Sequence, residues 1–175
     1  MEILTITLGI TETRLNESQC EQKSFRSGDT GAKGDNGTPC QCSLQDPKKP
    51  SAHIEAANLG DKTYQANIMI KDWSVSAAFS HLAGGMKYQD GKLTVPTTGR
   101  YYIYLQIYCK TQGRVYVRAN NRVITMIQSP TTSSAMYVGG VFNLTAGDVI
   151  TFLSAYANFR VFMYSYHTYF GAYLI

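Results

Sequence analysis

Gly99-Arg-Tyr-Tyr-Ile-Tyr-Leu-Gln-Ile-Tyr-Cys109 is the stretch on which the fold turns. Isoleucine and tyrosine dominate it, and such side chains suit a pleated, packed surface. Alternate residues of a strand point to opposite faces. Here both faces are apolar, so the strand is expected to be covered on both sides.

The flanking segments repeat the signal at shorter length. Val115-Tyr-Val-Arg118, Asn120-Asn121 and Val123-Ile-Thr-Met-Ile127 read as a hairpin, because asparagine tolerates the positive φ that tight turns require. Val138 to Leu144, the turn Ala146-Gly-Asp148 and Val149 to Leu153 read as a second hairpin, and Thr168 to Ile175 closes the series. Gly84-Gly85 reads as a turn. From Ser51 onward the period is two and no helix is indicated. Many short strands with glycine-marked turns predict an all-β antiparallel sandwich or jelly roll. Trp73, Phe79, Phe142, Phe152 and Phe170 are expected in its core.

The first 50 residues are of another kind. Ile3 to Ile10 is apolar but far shorter than the roughly 20 residues a membrane-spanning helix needs, and it lacks the basic flank of a signal peptide. Gly28-Asp-Thr, Gly31-Ala-Lys, Gly34-Asp-Asn and Gly37-Thr-Pro then place glycine at every third position. That register is what a triple helix demands, since only glycine fits at its crowded axis. Lys33-Gly-Asp35 falls inside this repeat and is read as part of it. Four triplets with one proline are too few to hold by themselves, so the stub needs a trimer beside it. Asp46-Pro-Lys-Lys-Pro50 is a hinge that blocks regular structure. The organisation expected is a flexible spacer over 1–27, a collagen-like stub over 28–39, a cysteine-containing linker over 40–50 and one globular domain over 51–175.

Cysteines and charge narrow the class. Only Cys109 of the four cysteines lies in the globular part, so that part must stand on packing, and Cys109 after an apolar run reads as an inert buried thiol. Cys40 and Cys42 directly follow the last triplet, where three chains would run side by side. Interchain disulfides, free thiols and a Cys-x-Cys metal site all remain open, the first being favoured in an oxidising compartment. Sequons at Asn16, Asn36 and Asn143 fit export to such a compartment. The net charge of +4 is mild, and no basic run points to nucleic acid. His53, His81 and His167 lack metal-ligand spacing, and no cofactor is expected. Nucleophile-elbow, zinc-protease and phosphate-loop motifs are missing, so neither catalysis nor a small-molecule substrate is expected.

Seven segments, in order, carry a resemblance: Ala52-His-Ile-Glu-Ala56, Asp72-Trp-Ser74, Gly91-Lys-Leu-Thr-Val-Pro96, Gly99-x-Tyr-x-Ile-Tyr-Leu-Gln106, Met136-Tyr-Val-Gly-Gly-Val-Phe142, Leu144-x-x-Gly-Asp148 and Tyr169-Phe-Gly-Ala172. Together they cover residues 51–175 and resemble the tumour necrosis factor ligand family. The collagen-like stub beside Asp72-Trp-Ser74 is most similar to the ectodysplasin branch. The resemblance implies a jelly-roll protomer in a homotrimeric cytokine, extracellular, secreted or shed from a type II membrane precursor whose anchor would lie upstream of this sequence.

Site residues follow by the same route. Tyr104, Tyr137 and Tyr169, with Tyr102 beside them, match the family's aromatic positions at the trimer axis. Tyrosine suits such an interface independently, having a large apolar body with a hydroxyl that can still find a partner. The family binds cysteine-rich receptors of the tumour necrosis factor receptor family in grooves between protomers. Loops expected to border the grooves are Ala157-Asn-Phe-Arg-Val161, Arg118 to Arg122 and Ser129 to Ala135. Phe159 is expected to be exposed there as an aromatic anchor, with Arg160, Arg118, Arg122, Asn120 and Asn121 around it. Two departures stand out: a lone Cys109 where many relatives carry a disulfide pair, and a short polar turn at Asn120-Asn121. The alternative is a complement- or adiponectin-type globular head, which also follows a collagen stretch and acts as a secreted recognition or structural module. Gly139-Gly-Val-Phe142 and Tyr169-Phe-Gly-Ala172 favour the cytokine side.

Overall fold

A computed structural model describes residues 48–175. The spacer, the collagen-like stub, Cys20, Cys40, Cys42, Asn16 and Asn36 lie outside the described residues. Fourteen strands follow one another: β1 (Ser51–Ala56), β2 (Gly60–Tyr64), β3 (Ile68–Met69), β4 (Trp73–Ser74), β5 (His81–Ala83), β6 (Lys87–Gln89), β7 (Lys92–Thr94), β8 (Gly99–Cys109), β9 (Gly113–Ala119), β10 (Arg122–Ser129), β11 (Ser134–Leu144), β12 (Val149–Ser154), β13 (Phe159–Met163) and β14 (Tyr169–Leu174). Every pairing is antiparallel. Among the described residues there is no helix, and none therefore that could cross a membrane.

The decisive stretch, β8, organises the first sheet. Along its whole length it pairs with β11, from Ser134↔Cys109 to Leu144↔Gly99. On its other side it meets β14, from Tyr169↔Gln106 to Leu174↔Tyr101, and at its far end β13. Beyond β14 lies β1, flanked in turn by β4 and β5, while β2 adds to β13. The second sheet runs β10-β9-β12-β7-β6, with β3 also on β12.

Period two decides which residues fill the space between the sheets. Tyr101, Ile103, Leu105, Ile107 and Cys109 of β8 are buried, as are Ile54, Phe170 and Ala172 of the same sheet. Leu93, Val115, Val117, Ile150 and Phe152 meet them from the second sheet. Trp73, Phe152 and Phe170 form an aromatic centre with ring centroids 4.5 to 5.8 Å apart, and Trp73 Nε1 donates to the Ile70 carbonyl at 2.9 Å, so its one polar group is satisfied. The intervening β8 side chains, Tyr102, Tyr104, Gln106 and Tyr108, are only half-buried. One face of β8 is thus core and the other lies open within a single chain.

Two expectations are corrected, while Phe142, partly buried, packs against the core as expected. Phe79 is 77% exposed instead of core, because its loop is pinned the other way round: Phe79 N donates to the buried Glu55 carboxylate at 3.2 Å, Glu55 N to Ser80 Oγ, and Ser80 Oγ to the Ser74 carbonyl. The segments either side of Ala146-Gly-Asp148 are no hairpin; β11 pairs with β8 and β12 with β9, so the turn carries the chain from one sheet to the other. Gly147, at φ 91°, donates to the Val95 carbonyl at 2.8 Å there. The Asn120 turn, by contrast, joins β9 and β10 as expected, with Asn120 at φ 54°.

Candidate functional site: an aromatic sheet face

The outward face of the first sheet carries three cross-strand rows. Tyr137, Gln106, Tyr169 and Glu55 form the first, in the order β11-β8-β14-β1. Gly139, Tyr104, Gly171 and His53 form the second, and β5 adds His81 opposite His53. Val141, Tyr102, Tyr173 and Ser51 form the third. The middle row explains the two glycines. A β-carbon on Gly139 would meet the Tyr102 and Tyr137 hydroxyls, and one on Gly171 would meet Tyr104 and the Ala52 carbonyl. Glycine lets the tyrosines lie down across the strands.

Their polar ends are tied inside the face. The Tyr102 and Tyr137 hydroxyls share a hydrogen bond of 3.0 Å, and Tyr169 donates to Gln106 Oε1 at 2.8 Å. Gln106 Nε2 in turn donates to the His167 carbonyl at 3.3 Å. His53 Nδ1 and the Tyr104 hydroxyl lie 2.7 Å apart. Ring stacking continues the network: His53 lies 5.1 Å from Tyr169 and 6.3 Å from His81, and Tyr102 lies 5.5 Å from Tyr173. Burial lowers the His53 pKa, the Glu55 carboxylate opposing and His81 adding to the shift. Burial likewise pushes Tyr104 up to about 12, helped by its neighbours Tyr169 and Tyr173. Both shifts favour the neutral forms, and the charge on this face is that of the Glu55 carboxylate in the first row.

What remains outside is ring and aliphatic surface. Tyr137 is 54% and Val141 52% exposed, and a shallow concavity of about 530 Å³ runs over His53, Tyr102, Tyr104, Tyr137, Tyr169 and Tyr173. A solvated sheet face ordinarily alternates to polar side chains. Here four tyrosine hydroxyls are paired within the face, and contiguous exposed apolar patches of this kind are characteristic of interaction surfaces.

All four expected interface tyrosines, Tyr102, Tyr104, Tyr137 and Tyr169, fall on this face. Spacing along the chain missed Tyr173 and His53, and it missed that His53 and His81 stack, because only the sheet register brings β1 and β5 together. The receptor-facing residues fare differently. Phe159 is fully buried, its ring packed over Gly113 at the place a β-carbon would occupy, so its expected exposure is corrected. It opens strand β13 rather than a turn, and period two sends it inward. Arg160 points out and pairs with Asp61 at 2.6 Å. Arg118, Asn120, Asn121 and Arg122 surround the β9–β10 turn, at the end of β9 opposite Gly113 and so roughly 20 Å from Phe159. They form no single patch with Arg160 within one chain. Two exposed aromatics border the concavity, Phe79 at 77% and Tyr166 at 70% beside His167, and the sequence did not single out Tyr166. Asn143 is exposed on β11. Cys109 is buried with its thiol pushed up to about 11 by burial, as an inert thiol should be.

Geometry of this kind defines an antiparallel jelly-roll domain, and comparison with known proteins agrees on that fold. Residues 71–130 match the family model of the TNF (Tumour Necrosis Factor) family. Tumour necrosis factor of Notamacropus eugenii is 29% identical over 150 residues, covering 70% of this chain and 61% of its own; that of Rattus norvegicus is 31% identical over 129 residues, covering 59% and 52%. The chain thus spans 52 to 61% of the length of these curated relatives. In fold it is similar to Eiger TNF from S. frugiperda, with a TM-score of 0.56 at 15% identity over 74% of this chain and 93% of that one. Murine APRIL gives 0.57 at 22% identity over 73% and 100%. These likenesses do not favour a complement- or adiponectin-type head.

Proposed function

We propose that this chain is an extracellular cytokine-type ligand that assembles as a homotrimer through the aromatic sheet face and binds cysteine-rich receptors of the tumour necrosis factor receptor family in the grooves between protomers. The single observation that carries the reading is the three-row face, where the hydroxyls of Tyr102, Tyr104, Tyr137 and Tyr169 are bonded within the face and the rings are left for a neighbour. A stoichiometry of three is supported by the Gly-x-y register upstream. In the assembled ligand Cys40 and Cys42 link chains covalently, and Asn16, Asn36 and Asn143 accept glycans. The stub and Asp72-Trp-Ser74 support an ectodysplasin-like branch within the family, shed from a type II precursor.

Receptor contact then falls to groups that border the buried face. Arg160 and the Arg118 to Arg122 turn retain that role, and Tyr166 takes the place of Phe159 as the aromatic anchor, since hot spots are enriched in tyrosine and arginine. Light scattering of the full chain under reducing conditions tests assembly. Trimer at micromolar concentration, and a shift to monomer in Tyr104→Ala and Tyr169→Ala, are expected. A monomeric wild-type chain would overturn the assignment. Pull-down against a set of cysteine-rich receptor ectodomains tests recognition, with Tyr166→Ala expected to weaken capture while the trimer persists.

A further inference from the structure

Among the described residues no large hydrophobic side chain is more exposed than Phe79, and its exposure is built into the loop between β4 and β5. That loop turns on itself, Ser80 N donating to the Ala77 carbonyl at 3.0 Å. Glu55, only 5% exposed, accepts from Phe79 N with its carboxylate, and Ser80 Oγ bridges Glu55 N and the Ser74 carbonyl. Burying a carboxylate is costly unless it is bonded. Here the bond fixes an aromatic ring in water at the border of the concavity. Val75 and Leu82, 48% and 38% exposed, extend the apolar surface on either side of it in sequence.

The opposite end of the face is an edge. Among the described residues β11 pairs with β8 alone and β10 with β9 alone, so each sheet has an open strand there, and the two strands lie against each other. Both leave the turn over 130–133 together. Met126 and Tyr137, each three residues from the turn-side end of its strand at Ser129 or Ser134, are therefore level, and they are 47% and 54% exposed. Tyr137 and Glu55 are the two ends of the first row. Phe79, held by Glu55, thus stands at the level of Met126 and Tyr137 but at the other end of the face.

We propose that Phe79 of one copy packs against Met126 and Tyr137 on the β10–β11 edge of the next, a contact that rests on the homotrimer through the aromatic face. Copies arranged in a ring meet through two different patches, one from each neighbour. A ring that closes through the lateral ends of a sheet has its axis along the strands, and rotation about that axis keeps every residue at its level. What projects from the β1 end of the first row therefore meets the β11 end of the same row on the neighbour. A thioether and an aromatic ring attract each other, and the contact covers an edge otherwise free to recruit strands from other chains.

A photoreactive benzoylphenylalanine at position 79 of the full chain tests the contact. After irradiation a reducing, denaturing gel is expected to show dimer and trimer bands, whose cross-linked peptides join residue 79 to the stretch 122–137. Phe79→Ala is expected to raise the concentration at which the trimer half-dissociates about tenfold, as suits truncation of an aromatic anchor, and Phe79→Tyr to restore most of that loss. The side chain is exposed, so the unfolding midpoint of the dissociated chain should not move. A trimer in which position 79 cross-links only within its own chain, or in which Phe79→Ala assembles as tightly as the wild type, overturns the proposal and leaves the trimer standing. Weaker receptor capture by Phe79→Ala at unchanged assembly also overturns it and assigns the loop to the receptor. A wild-type chain that is monomeric in light scattering overturns the assembly reading, and this contact with it.

Discussion

Tyr104 occupies the space into which a β-carbon on Gly171 would project, with the Ala52 carbonyl closing the same space from the neighbouring strand. A tyrosine can swing aside, but a backbone oxygen in the middle of a paired sheet cannot. Gly171→Ala is therefore expected to cost about 1–3 kcal/mol, the range for overpacking, read as a fall in the unfolding midpoint. Gly147→Ala is the contrasting case: nothing lies within 4 Å, and only the strain of its positive φ remains.

Acid should weaken the fold through His53. Burial lowers its pKa below the ordinary 6.5, so the unfolded chain takes up a proton at higher pH than the folded one does. The stability it contributes is complete above about 6.5 and declines as pH falls from there toward the folded value. Groups that face it are Glu55 on its own strand, His81, Tyr104 and Tyr169. Unfolding midpoints measured between about pH 7.5 and 5.5 should show this decline in the wild type and a flatter profile in His53→Gln.

Phe159 and Arg160 separate folding from recognition. Phe159→Ala empties a fully buried site and is expected to cost about 3–5 kcal/mol. Arg160→Gln removes only a solvated pair with Asp61 and should cost about 1 kcal/mol or less. Denaturant titration distinguishes the two, and only the second can be read cleanly in a receptor assay.

At the crossover between sheets, Asp148 accepts from the Thr145 amide at 2.8 Å and from Asn120 Nδ2 at 2.8 Å. These bonds, the Thr145 amide first, hold its carboxyl below the usual value of 3.8. The contribution is present above that value and is lost as pH falls through the lowered one. Asp148→Ala is expected to cost about 1 kcal/mol near neutral pH, and its difference from the wild type should shrink in strong acid.

Much of this architecture was legible in the chain. Period two in Gly99 to Cys109 gave the strand and its buried half, and Asn120 gave its turn. The four tyrosines expected at an interface came from motif and fell on one face. Pairing partners were not legible, because a turn such as Ala146 to Asp148 looks the same whether it joins two strands of one sheet or leads from one sheet to the other. Phe159 failed for a related reason. Polar neighbours in sequence suggest a loop, yet in a strand they are what an inward residue should have. His53 and His81 meet only through register, which spacing along a chain does not encode.

The position of β14 also bears on how the protein is made. It follows every other strand in sequence yet lies between β8 and β1. Until the ribosome has delivered residues 169–174, β1 has no partner on that side and half of β8 presents an open edge. The long-range closure of Ser51 against Tyr173 is thus a late and slow step of folding. In that interval the apolar strands are exposed to chance pairing with other chains, and the aromatic face is complete only once Tyr169 has arrived.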